Sequence, residues 1–420
     1  MPQSRAGLLV DLANMTTIEL RVFSLTSPLC EVKAERHWTV AEVQRAVQGA
    51  VGTVPSDQVV LLDSVQLKPH ERLGTRISGE VADLTVVSNK FTPTSRIASG
   101  RFGVGSQLGA GCFAVISRGK DTETGQDVAI KREDIMSALA QLEAEAGILK
   151  RLSQPELPQG FPAIFYCGVE GSYRCLVMEL LGETLEERLQ QCKGKFEVST
   201  VALLADQLLH RIEYLHSKGF VHRDIKPENF VCGVKHKMHH IYLIDFGLSK
   251  EYWHGRRHAT MTTRLSLTGT PRYASLNAHR GLEQSRRDDL EAIGHMMIYF
   301  LRGSLPWSGL EARTKQEKYR RIFEKKLQEE LSNLCRGFPE AFVTYMKYSR
   351  GLEYEKRPDY DMLRGLFKDS RGEKKEYELQ WFNKGFMPSN LEPLKSPCRV
   401  YQPDDQDNPA YGRSGTINGR

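Results

Sequence analysis

His222-Arg223-Asp224-Ile225-Lys226-Pro227-Glu228-Asn229 is the stretch on which the reading of this chain turns. It follows a segment with apolar residues at 201, 204, 208, 212 and 215, the spacing of a buried helix face. Three of its side chains suit one chemistry. Asp224 is placed to accept a proton from a hydroxyl and to orient the oxygen that attacks. Asn229 offers a carbonyl oxygen to Mg²⁺, a hard cation that prefers oxygen ligands. Lys226 offers a cation that can neutralise charge on a phosphoryl group in transfer.

Further along stands Ile244-Asp245-Phe246-Gly247, with Asp245 sixteen residues beyond Asn229. The spacing fits a hairpin, Phe230-Val231-Cys232 out and Ile241-Tyr242-Leu243-Ile244 back. Such a hairpin brings Asp245 beside Asn229, with two oxygen ligands for the metal. His236, His239 and His240 fall in its turn. They are expected to be exposed basic turn residues rather than metal ligands.

Towards the N-terminus, Val128-Ala129-Ile130-Lys131 puts a lysine at the end of an apolar strand. A buried ammonium is costly unless paired. Two glutamates compete as its partner, Glu143 and Glu145, on a segment given an apolar stripe by Leu142, Ala146 and Leu149. Taken singly, Lys131 also reads as an ordinary strand-end lysine. Before it comes Gly109-Ala110-Gly111-Cys112-Phe113-Ala114-Val115-Ile116. Glycines let backbone N–H groups approach phosphate oxygens. Ala114 stands where the third glycine of G-x-G-x-x-G is expected, and by itself the loop reads equally as a hairpin turn.

Together, in this order and at these spacings, the four elements resemble the signature set of protein kinases. The resemblance implies an α+β, two-lobed kinase fold, a small sheet lobe with one key helix and a larger helical lobe. It implies ATP and Mg²⁺ as cofactors, with the metal on Asn229 and Asp245. It makes Asp224, Lys226, Lys131 and Glu145 the catalytic set, Glu145 being preferred over Glu143 on the family pattern. Asp289 is expected in a buried central helix, supporting the Asp224 loop by hydrogen bonds. A lysine two residues after the aspartate is similar to serine/threonine kinases rather than tyrosine kinases.

Several segments are closer still to casein kinase I. They are Met178-Glu179-Leu180-Leu181-Gly182, Arg211 to Lys218, Ala274-Ser275-Leu276-Asn277, Glu283 to Glu291, and Gly303-Ser304-Leu305-Pro306-Trp307. That resemblance implies an ATP site of Leu108, Gly109, Ala110, Gly111, Ile116, Ala129, Lys131, Met178, Glu179 and Leu181. Met178 would be its gatekeeper, and Leu181 would offer backbone groups to adenine. It also implies protein substrates that are acidic or already phosphorylated. The matching anion-site positions are Arg272, Lys318 and the N–H of Gly309, against the plain alternative of a solvated basic face. The chain departs from the family between Lys250 and Leu267, where H-I-P-Y-R-E is missing and Thr260-Met261-Thr262-Thr263-Arg264 stands nearby. Thr262, Thr263, Ser266 and Thr268 are candidate phosphorylation sites, with Arg223 as charge partner.

The remaining segments separate by pattern. Residues 17–89 alternate like strands at Ile18-Leu20-Val22 and at Val32. A helix pattern then runs from Thr39 through Val40, Val43, Val47 and Val51, with Gly52 as its stop. Strands follow at Val59 to Leu62 and Asp83 to Val87. The order resembles a ubiquitin-like β-grasp domain, with an unrelated small α+β domain as the alternative. Val87-Ser88-Asn89-Lys90 carries no Gly-Gly, so conjugation to other proteins is not expected. The segment would recruit ubiquitin-pathway partners, inhibit the enzyme, or simply stabilise it. A linker covers 90–100, the kinase domain 101–382, and a polar tail with five prolines, read as disordered, 383–420.

Composition sets outer bounds. A net charge of +6 permits an acidic partner without pointing to nucleic acid. Eight scattered cysteines without a C-x-x-C argue against a disulfide framework or zinc site and for a reducing setting, cytoplasm or nucleus. Leu8-Leu9-Val10 is too short for a signal-peptide core, and no apolar run is long enough to span a bilayer. No nucleic-acid or membrane partner is expected, and the chain is taken as a monomer. The rival to an enzyme is a pseudokinase or scaffold, which the complete set Lys131, Glu145, Asp224, Asn229 and Asp245 disfavours.

Overall fold

Alternation in the first strand is what builds the N-terminal sheet. Ile18, Leu20 and Val22 are all buried while their neighbours face solvent. This computed structural model describes residues 17–23, 28–51, 58–62, 65–77, 80–88, 96–110, 114–137, 140–255, 257–375 and 377–382. The expected helix stop at Gly52, most of the expected 90–100 linker, the loop residues Gly111 and Cys112, and the 383–420 tail lie outside them.

The chain divides into two units, 1–142 with 166–177, and 143–165 with 178–420. In the first, β1 (Thr17–Phe23), β2 (Pro28–Glu35), α1 (Val40–Val51), β3 (Gln58–Leu62), β4 (Val65–Leu67) and β5 (Val81–Ser88) make one sheet of order β2-β1-β5-β3-β4. β1 and β5 run parallel, Leu20 against Ala82 and Val22 against Leu84, so a crossover must join them. Val40, Val43 and Val47 of α1 pack into the core with Ile18, Leu20 and Leu84. Thr39 starts that helix. Its N–H and its hydroxyl both donate to Glu42 Oε2, at 2.6 and 2.8 Å, the return half of a capping box. β4 was not expected from sequence. It is too short to show a period, and two of its three residues are exposed.

A second sheet has the order β10-β11-β9-β8-β7-β6. Its strands are β6 (Arg96–Ile97), β7 (Phe102–Ala110), β8 (Val115–Asp121), β9 (Asp127–Asp134), β10 (Ile164–Glu170) and β11 (Tyr173–Glu179). Between β9 and β10 the chain forms α2 (Gln141–Leu152). β6 corrects the expected 90–100 linker. Arg96 pairs with Gly103 and Ile97 with Phe102, and Ile97 is buried. A sequence boundary set on Pro, Ser and Thr content missed this two-residue strand.

The second unit is mostly helical. Its leading elements are α3 (Leu185–Gln191), α4 (Val198–Ser217), β12 (Phe220–Val221), β13 (Phe230–Cys232), β14 (Ile241–Leu243), β15 (Lys250–Glu251), β16 (Trp253–His254) and β17 (Arg257–His258). There follow α5 (Leu276–His279), α6 (Arg286–Arg302), α7 (Lys315–Gln328), α8 (Leu331–Leu334), α9 (Glu340–Gly351), α10 (Tyr360–Gly365) and α11 (Lys368–Arg371). The stripe Val201, Leu204, Leu208, Ile212 and Leu215 on α4 is fully buried. Each such side chain contributes roughly 1.5–3 kcal/mol of burial. α6 is buried almost all round. Ser285 caps it, donating its N–H to Asp288 Oδ2 at 2.7 Å, and Gly303 ends it at φ 77°. The core extends to Trp381, whose ring lies 5.2 Å from Phe196. Among the described residues no helix is long and apolar enough to cross a membrane.

Candidate active site

α4 ends at Ser217, and the chain passes through β12 into the loop that carries Asp224. The hairpin expected after it forms, with Phe230 facing Leu243, Val231 facing Tyr242 and Cys232 facing Ile241. The Ile244 N–H then donates to the Asn229 carbonyl at 3.0 Å, which ties the start of Asp245-Phe246-Gly247 to the end of the Asp224 loop.

Asp224 is 6% exposed, and both of its carboxylate oxygens are engaged. Lys226 Nζ donates to Oδ2 at 2.7 Å. The Thr270 N–H and hydroxyl both donate to Oδ1 at 2.8 Å. Burial pulls the Lys226 ammonium down, but the adjacent Asp224 carboxylate outweighs it and the net shift is upward. Asn229 donates Nδ2 to the Asp224 carbonyl at 2.8 Å. That commits the nitrogen to backbone, so Oδ1 is the atom this side chain presents elsewhere. An amide oxygen and the Asp245 carboxylate are the hard donors that Mg²⁺ takes, and such an ion usually completes its shell with water and phosphate oxygens.

The loop is held from beneath by α6. Asp289 accepts from the His222 N–H at 2.7 Å, the Arg223 N–H at 2.9 Å and His216 Nε2 at 2.9 Å. Burial raises the Asp289 carboxyl, yet its hydrogen bonds and charge interactions, led by the His216 bond, win and hold it below its usual value. Burial pulls His216 down, so it serves as a neutral ring. Nε2–H then faces Asp289, and Nδ1 accepts from the Tyr360 hydroxyl at 2.6 Å. His222 is fixed in the same manner. The Asp224 N–H donates to its Nδ1 at 3.3 Å, and its Nε2 donates to the Ile244 carbonyl at 3.1 Å. Arg223 and Asp245 both sit at positive φ, 66° and 65°. This backbone is uncommon for residues with a Cβ, and each is held there by its loop.

The other predicted residues fall as follows. Lys131 lies in β9 with Ile116 of β8 opposite it, and Ala129 faces Arg118. Leu108, Gly109 and Ala110 lie in β7, with Gly109 opposite Ile116. Glu145 lies in α2 and is buried, whereas Glu143 is exposed. Met178 and Glu179 end β11, and the Glu179 N–H donates to the Ala163 carbonyl at 2.9 Å. Leu181 follows and is half-buried. Arg272 is exposed, and its carbonyl accepts from Trp307 Nε1 at 2.7 Å, which ties it to the turn carrying Gly309. Gly309 adopts φ 70°, and Lys318 lies in the first turn of α7.

One expectation needs amendment. His239 and His240 are buried, not exposed; only His236 faces solvent. The hairpin turn folds back onto α4, where Gln207 Nε2 donates to the His239 carbonyl at 2.9 Å. Among the described residues no group of three His, Cys, Asp or Glu is arranged to hold a metal by itself. Thr270 was missed altogether. It stands among several hydroxyls in one loop, and nothing in sequence distinguishes it from Thr262, Thr263, Ser266 and Thr268. Thr262 turns out to donate to Glu283 Oε2 at 2.8 Å, which Lys250 also reaches at 2.8 Å.

The family model described as "Protein kinase domain" matches residues 102–358, more than half of the chain.

Proposed function

The chain belongs to the protein kinase family, and from that membership we propose that it transfers the γ-phosphoryl group of ATP to serine or threonine in acidic or pre-phosphorylated protein substrates. The observation that carries this reading is the contact of Lys226 with Asp224 at 2.7 Å. The pair puts a proton acceptor and a cation side by side. In the proposed step the acceptor hydroxyl gives its proton to Asp224 as its oxygen bonds to the γ-phosphorus. The bond from phosphorus to the bridging oxygen breaks, and ADP leaves with that electron pair. Thr270 takes both lone-pair sites of Oδ1, so the proton is assigned to Oδ2, which accepts from Lys226 at 2.7 Å and only weakly from Asn229 Nδ2 at 3.4 Å. Asn229 and Asp245 would hold Mg²⁺, which neutralises phosphate charge when bound. Lys131 is assigned to the phosphates of ATP, Glu145 to holding that lysine as its charge partner, and the adenine site to Met178, Glu179 and Leu181.

A casein kinase I-like preference rests on Arg272, Lys318 and the Gly309 N–H. The bond from Trp307 to the Arg272 carbonyl supports grouping the first and last of these. For residues 17–89 we retain the ubiquitin-like assignment, supported by the order β2-β1-β5-β3-β4 and the parallel β1–β5 pair. Its proposed role is recruitment of ubiquitin-pathway partners. A reducing compartment, cytoplasm or nucleus, suits the free cysteines found among the described residues.

Mapping the phosphorylated residues on a peptide library tests the acceptor. Serine and threonine are expected, with the primed peptides turned over fastest. Transfer to tyrosine would overturn the acceptor assignment, and indifference to priming would remove the anion site.

A further inference from the structure

The carbonyls of Pro271, Arg272, Tyr273 and Ala274 each receive a side-chain N–H. Lys326 Nζ donates to Pro271 O at 2.8 Å and to Ala274 O at 2.6 Å. Trp307 Nε1 donates to Arg272 O at 2.7 Å. His295 Nδ1 donates to Tyr273 O at 2.8 Å, and His279 Nε2 donates to Pro271 O at 3.2 Å. The segment belongs to no strand or helix, so its carbonyls depend on these side chains. Lys326 supplies two of the five bonds. It lies in α7, a strongly charged helix, yet it is fully buried, with its ammonium 5.2 Å from the centre of the Trp307 ring. A buried ammonium without partners is expensive, and carbonyl oxygens are the partners it has found.

We propose that Lys326 is a positioning residue for protein substrate, holding the segment that runs from Thr270, bonded to Asp224, through Arg272. The inference rests on the phosphoryl-transfer reading above. Because the segment is one residue from Asp224's partner, its placement sets how a polypeptide presents its hydroxyl, and it does not set ATP binding. The charged surroundings of Lys326 are Glu291 on α6, which favours the ammonium, and Arg350 on α9, which opposes it. His279 on α5 and His295 on α6 also face it; burial and the nearby Lys326 charge lower both. Burial dominates for Lys326 and brings its ammonium down to about 7, so it loses its proton near neutrality.

The test uses the full chain and two variants. Lys326→Met keeps the length of the side chain and removes the donor. Trp307→Phe keeps an aromatic ring, removes the N–H to Arg272 O and leaves a small gap where the larger indole was buried. Two properties are read: KM for casein and for ATP across about pH 6.5 to 8.5, and hydrogen exchange of the Tyr273 and Ala274 amides, which donate to Thr270 O. Lys326→Met should raise the casein KM by about tenfold, the scale of one lost charge-assisted hydrogen bond, and leave the ATP KM within about twofold. Exchange at both amides should speed up by a similar factor. Wild-type casein KM should climb as pH rises through about 7, while Lys326→Met stays flat. Trp307→Phe should shift casein KM and exchange in the same direction by about threefold, and it carries the test if Lys326→Met does not fold. Unchanged casein KM and unchanged exchange in folded variants would overturn the proposal, as would an ATP KM rising in step with that for casein. If the wild type transfers nothing to casein, the function reading fails, and the exchange measurement alone decides the role of Lys326.

Discussion

The backbone N–H and the hydroxyl of Thr270 converge on one oxygen, Asp224 Oδ1, each at 2.8 Å. Lys226 takes the other oxygen, so the carboxylate is fixed at both ends. Gly269 makes this approach feasible. It adopts φ 91°, and a Cβ there would fall 2.2 Å from the Arg223 carbonyl.

Thr270→Val keeps the shape of the side chain and removes one of these bonds. A hydrogen bond to a charged group contributes about 1.5–3 kcal/mol, so kcat should fall by about tenfold to a hundredfold. The KM for ATP should hold, and Thr270→Ser should restore most of the loss. Steady-state kinetics on a serine peptide decides it. Wild-type turnover in Thr270→Val would remove Thr270 from the working site.

Asp289→Asn replaces a buried carboxylate that accepts three hydrogen bonds with a group that must donate from one end. The expected cost is about 3 kcal/mol of stability at neutral pH, with turnover reduced because the Asp224 loop loses its anchor. The pH dependence has a definite sign. The folded-state value of Asp289 lies below 3.8, so its stabilisation is complete above that value and is lost as pH falls through the depressed one. Denaturant unfolding of both proteins should therefore show a constant gap near neutrality that closes in strong acid. A gap undiminished at the lowest pH where both fold would contradict the assignment.

Part of this candidate site is legible in the sequence. The strands between Asn229 and Asp245 are readable as a hairpin from the two short apolar runs, and they pair, whereas the roles of Asp224, Asn229 and Asp245 come from the family resemblance. The resemblance puts Asp289 in a buried helix, and it lies in α6, buried. Thr270 and Lys326 were not found. A loop threonine and one member of a Lys-Lys pair on a charged helix look like solvent-facing residues. Only the fold shows that their partners are Asp224 and the carbonyls of Pro271 and Ala274. The two-residue strand β6 and the burial of His239 and His240 escaped for the same reason: a two-residue strand has no period, and a turn's burial depends on what it folds against.

Removing the metal side of the site gives a separate expectation. Asp245→Asn keeps the size of the side chain and removes the anionic oxygen. Transfer should fall by at least about a hundredfold, and raising Mg²⁺ should recover part of it, since a neutral ligand binds the ion more weakly. A Mg²⁺ titration at saturating ATP reads this out. Identical Mg²⁺ dependence in both proteins would take Asp245 out of the metal site.

The central claim is that Asp224 serves phosphoryl transfer, and its most direct test is ATP- and Mg²⁺-dependent phosphorylation of casein by the wild type beside Asp224→Asn. Transfer by the wild type and its fall by about a hundredfold or more in the variant, with ATP binding retained in both, is the predicted result. Equal transfer by the two proteins, or ATP binding without any transfer by the wild type, would contradict it.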